Sequence, residues 1–325
     1  MKSLGRFIVS AAILIALLAS STVAGASDYP TRPITAVVPF AAGGPSDIVM
    51  RVVGQRLSTA LGQPIVVDNR GGAGGRVGAE YGARAPANGY TVTLANSATH
   101  GILPVTVRAL TYDPLKDFAL IGMIGTYPLA LICNPKIPAR NVPEMVAYLR
   151  KNPGKLSYGS PGAGGMGHFA GEFFKARAQV EMLHVPYKGT GPVLQDVMAG
   201  VVDCLFDGTS KPHVESGKLR ALAVTSGKRD PGYPGVPTLE EEGLKGLDMV
   251  TWVGLVAPAG TPASVLRRLT DALNVALKDP QVVEGLRLVG TTAVAATSPD
   301  DLRQRITHDV EMYARIAKDA NIPVQ

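Results

Sequence analysis

The chain has 325 residues, of which 46% are hydrophobic and 18% charged, and carries a formal net charge of +6. Such a length can bury one large core or two smaller ones. Lys and Arg are scattered without a run, which argues against a nucleic-acid or anionic-membrane surface, and no apolar stretch after residue 26 approaches the roughly 20 residues that cross a bilayer.

In chain order, the first segment reads as an export signal. Lys2 and Arg6 form a positive start, Phe7 to Leu18 is a nearly unbroken apolar core, and Ala24-Gly25-Ala26 supplies small residues for cleavage after Ala26. A single arginine before the core does not make a twin-arginine signal. Cleavage removes two positive charges and leaves +4. The mature chain is expected to be soluble and exported.

From Ile34 onward, short β-branched runs alternate with segments of helical period, the mark of βαβ units around mainly parallel sheets. "ITAVVPF" predicts a strand, Ser46 an N-cap, and Ile48, Val49, Val52, Val53, Leu57 and Leu61 the apolar stripe of a helix that Gly62 stops. "PIVVDN" and "YTVTLANS" predict the next strands. After "DFALIGMIGTYPLALICNP" the alternation restarts: helix around 143–149, strand "LSYGS", helix around 169–178, strand "MLHVPY", helix around 193–198, strand "DCLFDG".

The tail follows "VTWVGLVAPAG" with a helix capped at Thr261 and carrying Pro262 in its first position. Ser298-Pro299-Asp300-Asp301 then opens a long helix with Leu302, Ile306, Val310, Tyr313 and Ile316 on one face. Two windings predict two α/β lobes, residues 27–127 with 250–325 and residues 128–249. The chain should cross between them near 120–130 and again near 250, and the C-terminal helices should return to the first lobe. Cys133 and Cys204, the only cysteines, sit in apolar strand runs and read as small buried hydrophobes. A bridge stays open as the alternative, since spacing does not fix the Cα separation it needs.

Gly162, Gly164 and Gly167 in "YGSPGAGGMGH" have the G-x-G-x-x-G spacing of a dinucleotide-binding turn between strand and helix. That site also needs an acidic residue closing the next strand, about 20 residues on. The strand ending "HVPYKG" has none, so no cofactor is expected. A second turn of the same kind, "VVPFAAGGPSD", leads through Gly43, Gly44, Ser46 and Asp47 into the first helix. Each helix start leaves backbone N–H groups unpaired and favours an anion. Two such turns on two lobes could hold a small acid between them.

Seven stretches carry a more specific signal: "YPTRPITAVVPFAAGGPSDIVMR", "VDNRGGAGGRVGAE", "NGYTVTLANS", "LTYDPLKDFALIG", "LSYGSPGAGGMGHFAGEFF", "HVPYKGTGPVLQDVMAGVVDCLFDG" and "VGLVAPAGTP". In order, and over nearly the whole mature chain, they resemble the Bug family of TctC-like solute receptors of tripartite tricarboxylate transporters. The resemblance implies a two-lobed periplasmic binding protein of type II-like α/β fold, each lobe a mainly parallel sheet flanked by helices. It would close on a small carboxylate, an organic acid or amino acid, in the cleft between lobes. The resemblance also implies membrane permease subunits as partners and a monomeric receptor.

Carried over position by position, the resemblance places Phe40, Gly44, Pro45, Ser46 and Asp47 in a first gripping loop, with Asn96 and Ser97 beside it. Ser160, Gly162, Gly164, Gly165, His168, Pro186, Tyr187 and Asp207 come from the second lobe. Two positions depart from the family: Gly71, where Pro is frequent, and Gly165, where Ser or Thr is frequent and supplies a hydroxyl to the cleft. Asp47 can instead cap its helix, Asp207 brace its loop and His168 serve as a structural hydrogen-bonding group, while Lys188 reads as solvated. The five histidines show no metal-ligand spacing, and Ser160 lacks the first glycine of G-x-S-x-G, so neither metal nor catalytic residues are assigned. A periplasmic enzyme acting on small carboxylic acids or esters remains the alternative, because triads are defined by geometry and not by order.

Overall fold

The computed structural model describes residues 29–187, 189–245, 249–319 and 322; the export signal and Lys188 lie outside these residues. Its strands are β1 (Ile34–Val38), β2 (Ile65–Asn69), β3 (Thr91–Asn96), β4 (Phe118–Pro128), β5 (Ala130–Cys133), β6 (Ser157–Ser160), β7 (Leu183–Pro186), β8 (Cys204–Asp207), β9 (Arg220–Val224), β10 (Val250–Pro258) and β11 (Thr292–Ala293). They form two sheets, ordered β11-β4-β10-β3-β1-β2 and β7-β6-β8-β5-β9.

The two-sheet α/β arrangement agrees with the double winding, but each sheet is mixed where mainly parallel sheets are expected. β1 is parallel to β2 and β3, and β6 to β7 and β8. β10 is antiparallel to β3 and β4, and β5 to β8 and β9. The crossing of the chain explains this. β4 leaves the first sheet at the carboxyl ends of the wound strands and β5 enters the second at the corresponding end. β5 must therefore run against its neighbours, as β10 does on the way back.

Both faces of each sheet are covered, which is why most strands read as near-continuous apolar runs. Numbering helices of eight residues or more, α1 (Pro45–Leu61), α6 (Ala263–Leu277) and α7 (Pro280–Leu288) pack on Ile34, Ala36, Val38 and Leu94. The opposite face of that sheet, with Leu120, Trp252 and Val256, is covered by α2 (Arg76–Ala83) and the first half of α8 (Pro299–Asp319). In the second sheet, α3 (Val142–Lys151) and α4 (Met166–Ala178) pack on Leu131, Tyr158 and Phe206, and α5 (Thr190–Ala199) on Ala130, Ile132 and Leu205. The C-terminal helices pack on the first sheet, but the last one extends beyond it. Tyr313, Ile316 and Ala317, in the second half of α8, belong to the core of the second.

Three local expectations also change. α1 starts at Pro45 with Gly44 as its N-cap, so Ser46 lies inside the first turn; proline suits that place because its fixed φ is helical and its missing N–H is not needed there. α6 starts at Ala263, and the Thr261 hydroxyl donates backwards to the Pro258 carbonyl at 2.7 Å. Cys133 and Cys204 form a disulfide, not a pair of free buried thiols. They face each other across β5 and β8 with Cα atoms 4.0 Å apart. The next pair along is the hydrogen-bonded one, Asn134 N–H donating to the Asp203 carbonyl. The cysteines therefore occupy the non-hydrogen-bonded position, where opposed side chains stand closest.

The start of α8 follows the sequence expectation. Ser298 N–H donates to Asp301 Oδ2 at 2.8 Å and Asp301 N–H to Ser298 Oγ at 3.2 Å, a reciprocal capping box.

Where the chain crosses, Leu129, Thr225 and Met249 lie side by side. Thr225 N–H donates to the Leu129 carbonyl and Met249 N–H to the Thr225 carbonyl. The buried Thr225 hydroxyl lies 3.0 Å from Leu129 N and 2.7 Å from the Met249 carbonyl. Because β4 ends beside Val250, and Ala130 pairs with Asp207, the carboxyl ends of β1, β3, β6, β7 and β8 all point toward this junction. Crevices at the carboxyl ends of α/β strands are the usual place for a ligand.

Candidate functional site

The residues after β1 and after β6 build one turn twice. Gly43 and Gly164 take positive φ values of 78° and 74°, a conformation glycine adopts without a Cβ penalty. Gly44 and Gly165 follow as extended N-caps, with φ/ψ of −79°/167° and −87°/172°. Gly44 N–H donates to the Ala41 carbonyl and Gly165 N–H to the Gly162 carbonyl, each at 3.3 Å. Gly43 N–H donates to Asp47 Oδ2 at 2.8 Å, and Gly164 N–H to His168 Nδ1 at 3.0 Å.

The turns therefore use the amides of Gly43, Gly44, Gly164 and Gly165 internally. The N–H groups without an intrahelical partner lie one to three residues further on: Ser46 and Asp47 in α1, and Met166, Gly167 and His168 in α4. The open amides of the second turn are therefore those of Met166, Gly167 and His168, and not those of Gly164 and Gly165.

Asp47 is 3% exposed and its Oδ2 also accepts from Arg51 Nε at 3.0 Å. Burial would raise its pKa, but the bonds from Arg51, Gly43 N–H and Asn69 outweigh this and hold it below the ordinary value. Asn69 Nδ2 also donates to the Phe40 carbonyl at 3.1 Å, tying the loop to β2. Asp47 thus braces its own turn.

The second turn rests on a column of rings. His168 stacks on His184 with centroids 4.0 Å apart and planes 12° apart, and His184 stacks on Tyr158 at 4.8 Å. His184 Nε2 lies 2.7 Å from Ser160 Oγ, which also donates to the Gly162 carbonyl at 3.0 Å. With its proton spent on Gly162, Ser160 accepts from His184, fixing the Nε2–H tautomer; His168, accepting at Nδ1, carries its proton on Nε2. Burial, then the neighbouring His168, lowers the His184 pKa to about 4; burial also lowers that of His168. Tyr158 closes the column by donating to Glu172, itself paired with Lys175.

Around these turns, Asn96 Oδ1 accepts from the N–H groups of Ala98 and Thr99, capping the single π-helical turn after β3. The buried Ser97 hydroxyl accepts from Trp252 N–H at 3.1 Å. Asp207 Oδ2 accepts from Thr209 N–H and from the Thr209 and Ser210 hydroxyls, which braces the loop after β8. Pro186 is exposed, and the Tyr187 hydroxyl donates to Asp196 on α5 at 2.6 Å. Each acidic group thus has a bracing role, and the candidate donors to a ligand are neutral amides at two helix starts. A cavity of about 300 Å³ lined by Asn134, Lys136, Tyr148, Lys155 and Asp203 lies at the far end of the second sheet and includes none of these residues.

The sequence reading did not single out Arg51, Asn69, Tyr158, Met166 or His184. His184 is two residues before Pro186 and so on the same face of β7, a signal that alternation could have supplied.

Comparison with known proteins fits this geometry. Residues 49–322 match TctC, the tripartite tricarboxylate transporter family receptor. The solved periplasmic binding protein BugD is 35% identical with a TM-score of 0.82, covering 91% of this chain and 100% of its own. Rpa4515 of R. palustris, solved with adipate, is 35% identical with a TM-score of 0.84 over 91% of this chain and 99% of its own. MatC of Rhodopseudomonas palustris, solved with bound malate, is 32% identical with a TM-score of 0.80 over 89% and 99%.

Proposed function

From the premise that the chain belongs to the TctC (Bug) receptor family of tripartite tricarboxylate transporters, we propose that it is a periplasmic solute-binding protein that captures a small carboxylate between its two lobes. The observation that carries this reading is the repeated turn, which presents open helix-start amides from both sheets at one junction. Adipate and malate in related proteins support a dicarboxylate or other small organic acid as the ligand class. In this reading the lobes are residues 27–127 with 250–325 and residues 128–249, the mature receptor starts at Ser27 and acts as a monomer, and it delivers its cargo to membrane permease subunits.

Thermal unfolding against a panel of four- to six-carbon mono- and dicarboxylates tests the function. A ligand at a hundredfold its Kd stabilises by about 2.7 kcal/mol. A shift with one or more acids is expected; no shift with any acid, alongside a shift with a nicotinamide nucleotide, would reject the reading. Intact mass of the exported protein tests cleavage after Ala26.

One observation favours a second reading, a hydrolase: the 2.7 Å approach of Ser160 Oγ to His184 Nε2. Against it, Ser160 is fully buried and donates to Gly162, and a histidine with a pKa near 4 is a weak base at neutral pH. Turnover of small esters by the purified protein, abolished by Ser160→Ala, would reverse the choice.

A further inference from the structure

α8 is a single helix shared by two cores. Leu302 and Ile306 pack with Trp252 on the first sheet, and Tyr313, Ile316 and Ala317 pack with Phe169 and Phe174 on the second. Between them Asp309 accepts from Trp252 Nε1 at 2.7 Å and pairs with Arg305. Gly101 permits the close approach: a Cβ there would stand 2.9 Å from Tyr313 Cε2 and 3.2 Å from Asp309 Cβ.

At the changeover sits Tyr313, fully buried, its ring 5.6 Å from that of Phe169. The ring suffices to fill the core; the hydroxyl needs its own account, because a buried hydroxyl is unfavourable without partners. Its partner is Met166 Sδ at 3.1 Å, while the ring lies against Gly101. Met166 is the first residue of α4 and carries one of the open amides of the second turn. Gly101 belongs to the π-helical turn that follows β3 in the first sheet. The first turn is braced by Arg51 and Asn69 from its own lobe, whereas the second is touched by a residue that also reaches the other lobe.

We propose that Tyr313 is a positioning residue of the cleft: its hydroxyl holds the start of α4 while its ring packs on Gly101 in the turn after β3, and so sets the register in which the second turn meets the ligand. The ligand half of this statement rests on the solute-binding reading; the structural half does not.

Hydrogen exchange in the ligand-free protein separates the two. Tyr313→Phe keeps the ring, and amides of residues 164–169 should exchange about fivefold faster, the loss of one ordinary hydrogen bond, while those of 43–48 stay unchanged. Met166→Leu should reproduce this from the other side. Unchanged rates at 164–169, or an equal rise in both turns, would overturn the proposal. Calorimetry with adipate and malate supplies the ligand arm, with affinity about fivefold weaker in Tyr313→Phe. Full affinity despite faster exchange would remove Tyr313 from ligand positioning. If the parent binds neither acid nor any other of the panel, the solute-binding reading fails by itself while exchange still decides the role of Tyr313.

Discussion

Asp47 and His168 occupy the same place in two copies of one turn, each accepting the N–H of the glycine four residues before it, one as a carboxylate and the other as an imidazole. Asp47 is kept ionised by Arg51, and His168 is kept neutral by burial. The two helix starts that face the junction are therefore built alike and charged differently.

Asp47→Ala removes the acceptor for Gly43 N–H and Arg51 and should destabilise the protein by about 1–3 kcal/mol. Asp47→Asn, which keeps an acceptor oxygen, should lose less. Denaturant midpoints of both variants check this; equal losses would mean that charge and not the turn bond is what Asp47 supplies.

Acid should weaken the second turn before the first. A histidine whose folded pKa is depressed contributes stability that is complete above its unfolded value, near 6.5, and is lost as pH falls toward the folded value. For His184 that value is about 4, so the thermal midpoint should be level at neutral pH and decline between roughly 6.5 and 4. Protonating His168 at Nδ1 also removes the acceptor for Gly164 N–H. Imidazole NMR titrations follow both rings directly, and pKa values at or above 6.5 would contradict the stack.

Gly165→Ser should fold and keep ligand binding. Its φ of −87° suits any residue, and a Cβ there meets only the Gly162 carbonyl at 3.4 Å, an ordinary contact. Gly165→Asp puts a negative charge beside the open amides of Met166 and Gly167 and should abolish acid binding in a folded protein. Circular dichroism with calorimetry reads both, and an Asp variant that binds like the parent would exclude this turn from the ligand site. Gly164→Ala, at a φ of 74°, should cost about 1 kcal/mol or more from backbone strain.

Replacing Cys133 and Cys204 by Ala should destabilise by about 4 kcal/mol, because the bridge closes a 71-residue separation in the unfolded chain. Both residues are fully buried, so the native protein should resist thiol reagents and reductant until unfolded. Two free thiols in unreduced, denatured protein would show the bridge to be absent.

What sequence made legible was local. Ser298 and Asp301 predict their capping box because the box lies within four residues. The glycine turns are visible because positive φ demands a particular residue at a particular place. Ser46 misplaces the start of α1 because two good starters, Pro45 and Ser46, are adjacent, and the fixed φ of proline decides. Pairings across the chain were not legible. The bridge needs β5 laid against β8 in one register, and the His168–His184 stack needs α4 to return over β7. Tyr313 reaches Met166 across a separation of 147 residues, so no window of sequence joins them.

The shared tether at Thr225 has a mechanical consequence. The outgoing segment at Leu129 and the returning one at Met249 are both fastened to this one residue, by its backbone and its hydroxyl. Two connections laced at a common point act as a leaf spring: they flex easily across the thin direction of the ribbon and strongly oppose sliding within its plane. If the two halves of the molecule move relative to each other, residues 129, 225 and 249 would have to bend together, because the same hydrogen bonds join all three.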